Sequence, residues 1–110
     1  MLEVTILEEQ GNTVNMIMME NGESVLCTGV INIEEPAVIV DIDDSFDIND
    51  EQLDMMARAM LKVAFERGIK SAVCNEKFLV NRLQRLNIFS AETEAADLCK
   101  LFSSSGSTAE

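Results

Sequence analysis

One stretch of the chain, residues 37–74, constrains the fold more than any other. It contains a short apolar run at residues 37–40, an acidic loop, a long helical pattern and a second apolar run at residues 71–74. Both runs have the composition of strands that are buried on both faces. The segment between them is long enough for the helical crossover that joins two parallel strands. The pattern therefore predicts a βαβ unit, in which ligands lie at the carboxyl ends of the strands.

The helical pattern between the two runs has clear start and stop signals. Asn49 is a favourable N-cap, Gln52 completes a capping box three residues later, and Gly68 is expected to end the helix. Apolar residues recur at helical spacing over a face so wide that it must be covered on two sides. The sheet is expected to cover one side, and a neighbouring helix or the partner subunit of a homodimer is expected to cover the other.

The flanking segments predict the remaining elements. Residues 2–33 alternate between apolar and polar side chains, as antiparallel strands do, and Asn21-Gly22 is expected to form a type I′ hairpin turn. Two further helices are predicted downstream, one capped by Asn75 and the other by Ser90. The apolar side chains expected to face inward on the first of these helices are Phe78, Leu79, Leu83 and Leu86.

Together these elements predict a single α/β (α+β) domain. An N-terminal antiparallel β-meander leads into a β-α-β-α unit, which gives a mixed sheet of about five strands with two to three helices packed on it. The domain is expected to span residues 1–102, since residues 103–110 have the polar composition of a disordered tail. A chain of 110 residues is long enough for one hydrophobic core.

Charge is distributed unevenly along the chain. Residues 1–57 contain fourteen acidic residues and no lysine or arginine, whereas residues 58–110 contain eight basic and six acidic residues. A surface formed by the first half repels phosphates and anionic lipid, so binding to nucleic acid or to a membrane is not expected. A basic protein partner, a bound cation and solubility alone are the explanations left open. The outward basic residues Lys77, Arg82 and Arg85 could instead pair with the acidic half of the same molecule.

Composition removes several classes of catalytic chemistry. The chain has no histidine, which is the commonest general base and a member of most nucleophile pairs. Cys27, Cys74 and Cys99 are widely spaced in apolar contexts, so buried reduced thiols are expected and a zinc site is not. No apolar run approaches the roughly 20 residues of a membrane span, and no secretory leader is recognised, so a soluble cytoplasmic protein is expected.

The acidic loop after residue 40 is the candidate functional site. The residues expected to contact a partner there are Asp41, Asp43, Asp44, Asp47 and Asp50. Closely spaced carboxylates can bind calcium, but an EF-hand loop starting at Asp43 would place Ile48 where glycine is required, so no metal site is predicted. Residues 41–54 also contain no glycine, lysine or arginine. A phosphate-bearing cofactor would meet like charge there, and no cofactor is predicted.

The order of elements resembles the central part of the GNAT acetyltransferases. The Asn-Gly-Glu of residues 21–23 matches the hairpin of that family, residues 53–68 match its cofactor-side helix, and the Leu-Gln-Arg-Leu of residues 83–86 matches a segment near the end of its fold. This resemblance implies an acyl-CoA-dependent N-acetyltransferase that binds its cofactor at the turn after Val40.

Residues 41–88 also resemble STAS domains, the anti-sigma-factor antagonist family. In that family a buried strand ends in an aspartate, as the Val-Asp-Ile of residues 40–42 does here, and a phosphorylated serine lies in the segment that follows. The Ile-Asn-Asp-Glu-Gln-Leu of residues 48–53 matches that segment and places Asp50 at the position of the phosphoserine. This resemblance implies a permanently charged form of the antagonist site rather than a phosphorylation switch.

The charge asymmetry and the missing catalytic groups favour a small, non-catalytic regulatory domain. Such a domain would work by contact with a protein partner, which is expected to be basic because the candidate site is acidic. The acetyltransferase and STAS-like functions are the alternatives, and enzymatic activity is not the favoured expectation.

Overall fold

The computed structural model describes residues 1–43 and 48–107, with side chains described up to Phe102. Within these residues the chain forms six strands and three helices. Their bounds in chain order are β1 (Leu2–Gln10), β2 (Thr13–Glu20), β3 (Ser24–Asn32), β4 (Ala37–Asp43), α1 (Asp50–Glu66), β5 (Ser71–Cys74), α2 (Lys77–Arg85), β6 (Ala95–Asp97) and α3 (Leu98–Ser107).

The six strands form one mixed sheet in the order β1-β2-β3-β4-β5-β6. β1 to β4 are an antiparallel meander, β5 runs parallel to β4, and β6 runs antiparallel to β5. α1 is the crossover between β4 and β5, which a parallel pair requires. The predicted α+β architecture is therefore confirmed, and one strand, β6, is added at the edge of the sheet.

α1 begins and ends with the local hydrogen bonds that its sequence predicts. The Asn49 side chain accepts a bond from the backbone N–H of Gln52 (2.8 Å), and the Gln52 side chain accepts one from the backbone N–H of Asn49 (3.1 Å). At the other end Gly68 has a φ of +91°, and the N–H of Ile69 donates to the carbonyl of Ala64 (3.0 Å). These are a capping box and the long bond of a Schellman motif, so both ends of the helix are confirmed.

Replacing Asn49 with alanine is expected to destabilise the domain by about 1 kcal/mol, because the N–H of Gln52 loses its capping acceptor. Asn49→Asp is the matched control, since aspartate is an equally good N-cap and is favoured at the positive end of a helix. Urea denaturation followed by circular dichroism measures both free energies of unfolding. An Asn49→Ala protein as stable as the native one would show that the cap contributes nothing.

The core lies between one face of the sheet and the helices. Along β2 and β3 every second side chain is buried, and these side chains form one hydrophobic cluster with the buried residues of α1 and α2. The buried side chains that β2 and β3 contribute are Val14, Met16, Met18, Cys27 and Ile31. α1 packs tightly on this face at Gly29, where the side chain of Met60 occupies the space that a Cβ atom would need.

α3 covers part of α1. The ring centroids of Phe65 on α1 and Phe102 on α3 are 5.4 Å apart. α3 is therefore the neighbouring helix that was one of the two alternatives expected to pack on the second side of α1. The other alternative, the partner subunit of a homodimer, stays a prediction. The backbone of α3 continues to Ser107 and so includes residues 103–107 of the segment predicted to be a tail.

The prediction that the two apolar runs are buried on both faces is wrong. In β4 Ala37 and Ile39 are fully buried, but Val40 is 40% exposed and Val38 is half-buried. In β5 the side chain of Val73 is also half-buried. The reason is that the helices pack on one side of the sheet, so alternate residues of these strands remain open to solvent.

The start of α2 differs from the prediction by one residue, and one of the side chains predicted to face inward is exposed. Asn75 is not the N-cap; Glu76 is, and its carboxylate accepts a hydrogen bond from the backbone N–H of Phe78 (3.2 Å). Leu79 and Leu83 are buried as predicted, but Phe78 is 69% exposed. The expected inward position of Phe78 is therefore wrong.

Ser90 does not begin a helix. Its hydroxyl accepts bonds from the backbone N–H groups of Glu92 (3.1 Å) and Thr93 (3.4 Å), which is the pattern of an N-cap. Glu94 then adopts a φ of +56°, and the chain enters β6 instead of continuing as a helix. α3 begins only after that strand, where the side chain of Asp97 caps it.

Candidate functional site

The predicted site residues lie at the carboxyl end of β4 and the start of α1. Asp41 and Asp43 are exposed in the last part of β4, and Asp50 is the exposed first residue of α1. Asp44 and Asp47 lie outside the described residues. The three described members of the predicted site are therefore all at one end of the sheet.

Arg82 on α2 belongs to this region, although the sequence did not single it out as a site residue. Its Nη2 lies 3.3 Å from Oδ1 of Asp50, and its side chain is only 14% exposed. The basic residues of α2 were expected to be able to pair with the acidic half of the molecule, and Arg82 does so. The spacing of the basic residues along α2 indicated that they could form ion pairs, but it could not indicate which carboxylate would be the partner of Arg82.

β5 pairs with only the first three residues of β4. The parallel register runs from Ala37 opposite Ala72 to Ile39 opposite Cys74, where β5 ends, whereas β4 continues to Asp43. The register of β4 against β3 also shifts by one residue just beyond this point. Among the described residues no strand pairs with the free end of β4 on the β5 side, and a cavity of about 190 Å³ lies beside it.

The cavity combines charged and apolar side chains from three elements. Asp41 of β4, Leu53 of α1, and Phe78 and Arg82 of α2 are among the residues that line it. Its volume is below the roughly 300–1,000 Å³ of pockets that hold drug-sized ligands.

Cys74 is the last residue of β5 and is half-buried, whereas Cys27 is buried and Cys99 is exposed, so the prediction of a buried thiol is wrong for Cys99. Burial raises the pKa of the Cys74 thiol, and the negative charges of Glu76 and Asp41 also raise it, while a backbone hydrogen bond from Glu76 acts the other way. A thiol with a raised pKa is protonated at neutral pH and is a poor nucleophile. Within residues 1–43 and 48–107, no group of three ligating side chains is placed to hold a metal ion.

At the opposite end of the same strands, Glu35 connects the loop before β4 to the start of β5. Its carboxylate accepts hydrogen bonds from the backbone N–H of Lys70 (3.0 Å) and from the hydroxyl of Ser71 (2.9 Å). Both hydrogen bonds lower the pKa of Glu35 below its ordinary value, and the bond from the backbone N–H of Lys70 has the larger effect. The ionised carboxylate thus helps to hold the parallel pair in register.

Glu35→Gln is expected to lower the melting temperature slightly at neutral pH and not at low pH. The pKa of Glu35 is lowered in the folded protein, so the ionised group stabilises the fold above the unfolded pKa. That contribution is lost as the pH falls through the folded pKa. Melting curves between neutral pH and about pH 3 measure the difference. Glu34→Gln is the control at the neighbouring exposed carboxylate, and a Glu35→Gln deficit that is equal at every pH would contradict this account.

None of the helices in the described part of the chain is long and apolar enough to cross a membrane. A comparison with protein-family models gave no match, and comparisons with curated proteins and with solved structures gave none either. The fold defines the protein as an α+β domain with its helices packed against one mixed sheet. Its function has to be argued from the geometry and charge of the domain itself.

Proposed function

We propose that the protein is a non-catalytic binding domain whose exposed carboxylates at the end of β4 contact a basic protein partner. The observation that supports this proposal is the separation of charge within the fold. Residues 1–43, which form β1 to β4, contain no lysine or arginine. All eight basic residues lie in α1 or after it.

Several of these basic residues are already paired with acids other than those of the β4 end. Arg58 lies 2.8 Å from Asp54 within α1, and Lys77 lies 3.0 Å from Glu94. Asp41, by contrast, makes no ion pair with any residue that the structure describes. An exposed carboxylate in a region rich in acidic residues attracts a positively charged surface and accelerates its association.

The test compares the proteins that three forms of the full chain retain from a cell extract. Asp41→Lys with Asp43→Lys reverses the charge of the site, and Glu66→Lys with Glu92→Lys makes the same net change at exposed positions elsewhere. We expect the native and control proteins to retain the same basic partners, less strongly as salt is raised, and the site variant to lose them. Retention of the same partners by the site variant would contradict the proposal.

A second candidate function, binding of an acyl-CoA, is supported by the separation of β4 from β5. The resemblance to GNAT acetyltransferases implies a cofactor at the turn after Val40, and the cavity lies at that end of β4. The exposed carboxylates of Asp41 and Asp50 oppose a pyrophosphate there, which is why this function is placed second.

Thermal denaturation with acetyl-CoA separates the two candidate functions. A ligand that binds the native state must raise the melting temperature by mass action, so a rise at about 1 mM acetyl-CoA would favour the second function. We expect no rise. The STAS-like function stays a prediction, and Asp50, which would occupy the phosphoserine position, is paired with Arg82.

A further inference from the structure

The sheet has one face against which no described segment packs. In β2 and β3 the buried residues alternate with half-buried ones, and all the buried ones belong to the single cluster shared with the helices. The alternate residues Ile17, Val30, Val38 and Val73 are not part of that cluster and do not pack against it. We call the side of the sheet that carries these residues the uncovered face.

An apolar stripe crosses the uncovered face diagonally. Ile17 lies opposite Thr28, and the next residue of β3 on this face, Val30, lies opposite Asn15, so the two aliphatic side chains are diagonal neighbours. The residues that we call the apolar stripe are Ile17, Val30, Val38, Val40 and Val73. Val38 is directly opposite Val73, which carries the stripe across the parallel pair. The solvated face of an antiparallel sheet usually alternates to polar residues, so a run of β-branched aliphatic residues there is unusual.

The charged residues on the uncovered face are all acidic. Register places Glu3 opposite Met19, Glu8 opposite Asn15, Asp41 opposite Val30 and Asp43 opposite Thr28, all on the same side as the stripe. No lysine or arginine occurs anywhere in β1 to β4. Two copies of the protein joined through this face would bring carboxylates near carboxylates, which disfavours a second copy as the occupant.

We infer that the uncovered face is a docking surface for a protein partner with apolar side chains at the centre of its contact surface and lysine or arginine at the edge. This inference rests on the proposed function and extends it from the β4 end to the whole stripe. Four strands about 4.8 Å apart and eight residues long give a face of roughly 500 Å². That is below the roughly 800 Å² per partner of a standard stable interface, so a reversible contact is expected.

The test uses two defined peptides and the isotope-labelled full chain. One peptide has leucine on one face and lysine on the other, and its counterpart has glutamate in place of lysine. We expect the lysine peptide to shift the amide resonances around Ile17, Val30 and Val38 and the glutamate peptide to leave them unchanged. Equal binding of both peptides, or shifts centred away from the stripe, would overturn the inference.

Two substitution pairs make the failure of this inference distinguishable from failure of the proposed function. Val30→Thr with Val38→Thr keeps β-branched residues but removes apolar contact, and should weaken binding about tenfold. Met55→Gln, at an exposed apolar position on α1, is the control and should change nothing. If Asp41→Lys with Asp43→Lys abolishes binding while the threonine pair binds like the native chain, the proposed function stands and this inference fails. If neither pair affects binding, both fail.

Sedimentation of the same variants tests whether a second copy of the chain, and not a different protein, occupies the uncovered face. We expect no self-association through the uncovered face, so the threonine pair should sediment as the native chain does. A native dimer that the threonine pair dissociates would show that a second copy occupies this face, and would overturn the inference.

Discussion

Replacing Gly29 with valine is expected to lower the free energy of unfolding by about 1–3 kcal/mol, because the position is already filled by α1. A Cβ atom on Gly29 would lie 2.6 Å from Sδ of Met60 and 3.0 Å from Cε of Met56. Both distances are shorter than van der Waals contact, so the methionines must change rotamer or α1 must move away from the sheet. Urea denaturation of the purified variant measures the loss.

Two further variants make this prediction specific. Thr28→Val changes the preceding residue of the same strand, which lies on the uncovered face, and should change stability by no more than about 0.5 kcal/mol. Met60→Ala removes the atom nearest to the new side chain, so its combination with Gly29→Val should cost less than the sum of the two single changes. If the double variant lost as much stability as the two single variants together, the contact between β3 and α1 at Gly29 would be contradicted.

Leu83→Ala is expected to cost about 2–5 kcal/mol, because it leaves a cavity where α2 meets the core. Leu83 is fully buried, whereas Phe78 on the same helix is 69% exposed. Phe78→Ala is therefore the matched control and should change stability by less than about 0.5 kcal/mol, although it removes a larger side chain. If Phe78→Ala were the more damaging change, α2 would have to be rotated from the orientation described here.

The elements that could be predicted from sequence are those specified by neighbouring residues. The bounds of α1 follow from Asn49, Gln52 and Gly68, each of which acts within one turn of the helix. The hairpin after β2 likewise has positive φ angles at Asn21 and Gly22, which were the residues chosen for it. Signals of this kind act before any tertiary packing is known, so the sequence is sufficient.

The elements that could not be predicted depend on distant contacts. Ser90 makes the hydrogen bonds of an N-cap, but the chain pairs as β6 with the distant strand β5 instead of continuing as a helix. The exposed position of Val25 has a similar origin, since the bulge between Cys27 and Val25 of β3 shifts the alternation by one residue. Apolar alternation does not encode a bulge, so this shift could not be predicted from sequence.

The candidate site was predictable in its charge and not in its surroundings. Asp41, Asp43 and Asp50 lie at one end of the sheet because a strand ends and a helix begins there, as the βαβ pattern predicted. The pairing of Asp50 with Arg82 and the cavity beside β4 depend on where α2 packs. The uncovered face was missed because Val38 and Val40 have the composition of a strand buried on both sides.

The measurement that tests the central claim most directly is cross-linking from the uncovered face in living cells. A photo-reactive phenylalanine analogue is placed at Val30 in the full chain, with Lys62 on α1 as the control position, and adducts are identified by mass spectrometry. We predict an adduct at Val30 to one basic protein, through a segment rich in lysine or arginine. That adduct should be absent at Lys62 and lost when Asp41 and Asp43 are both changed to lysine. An adduct at Val30 to a second copy of the chain, or one that survives the charge reversal, would contradict the account.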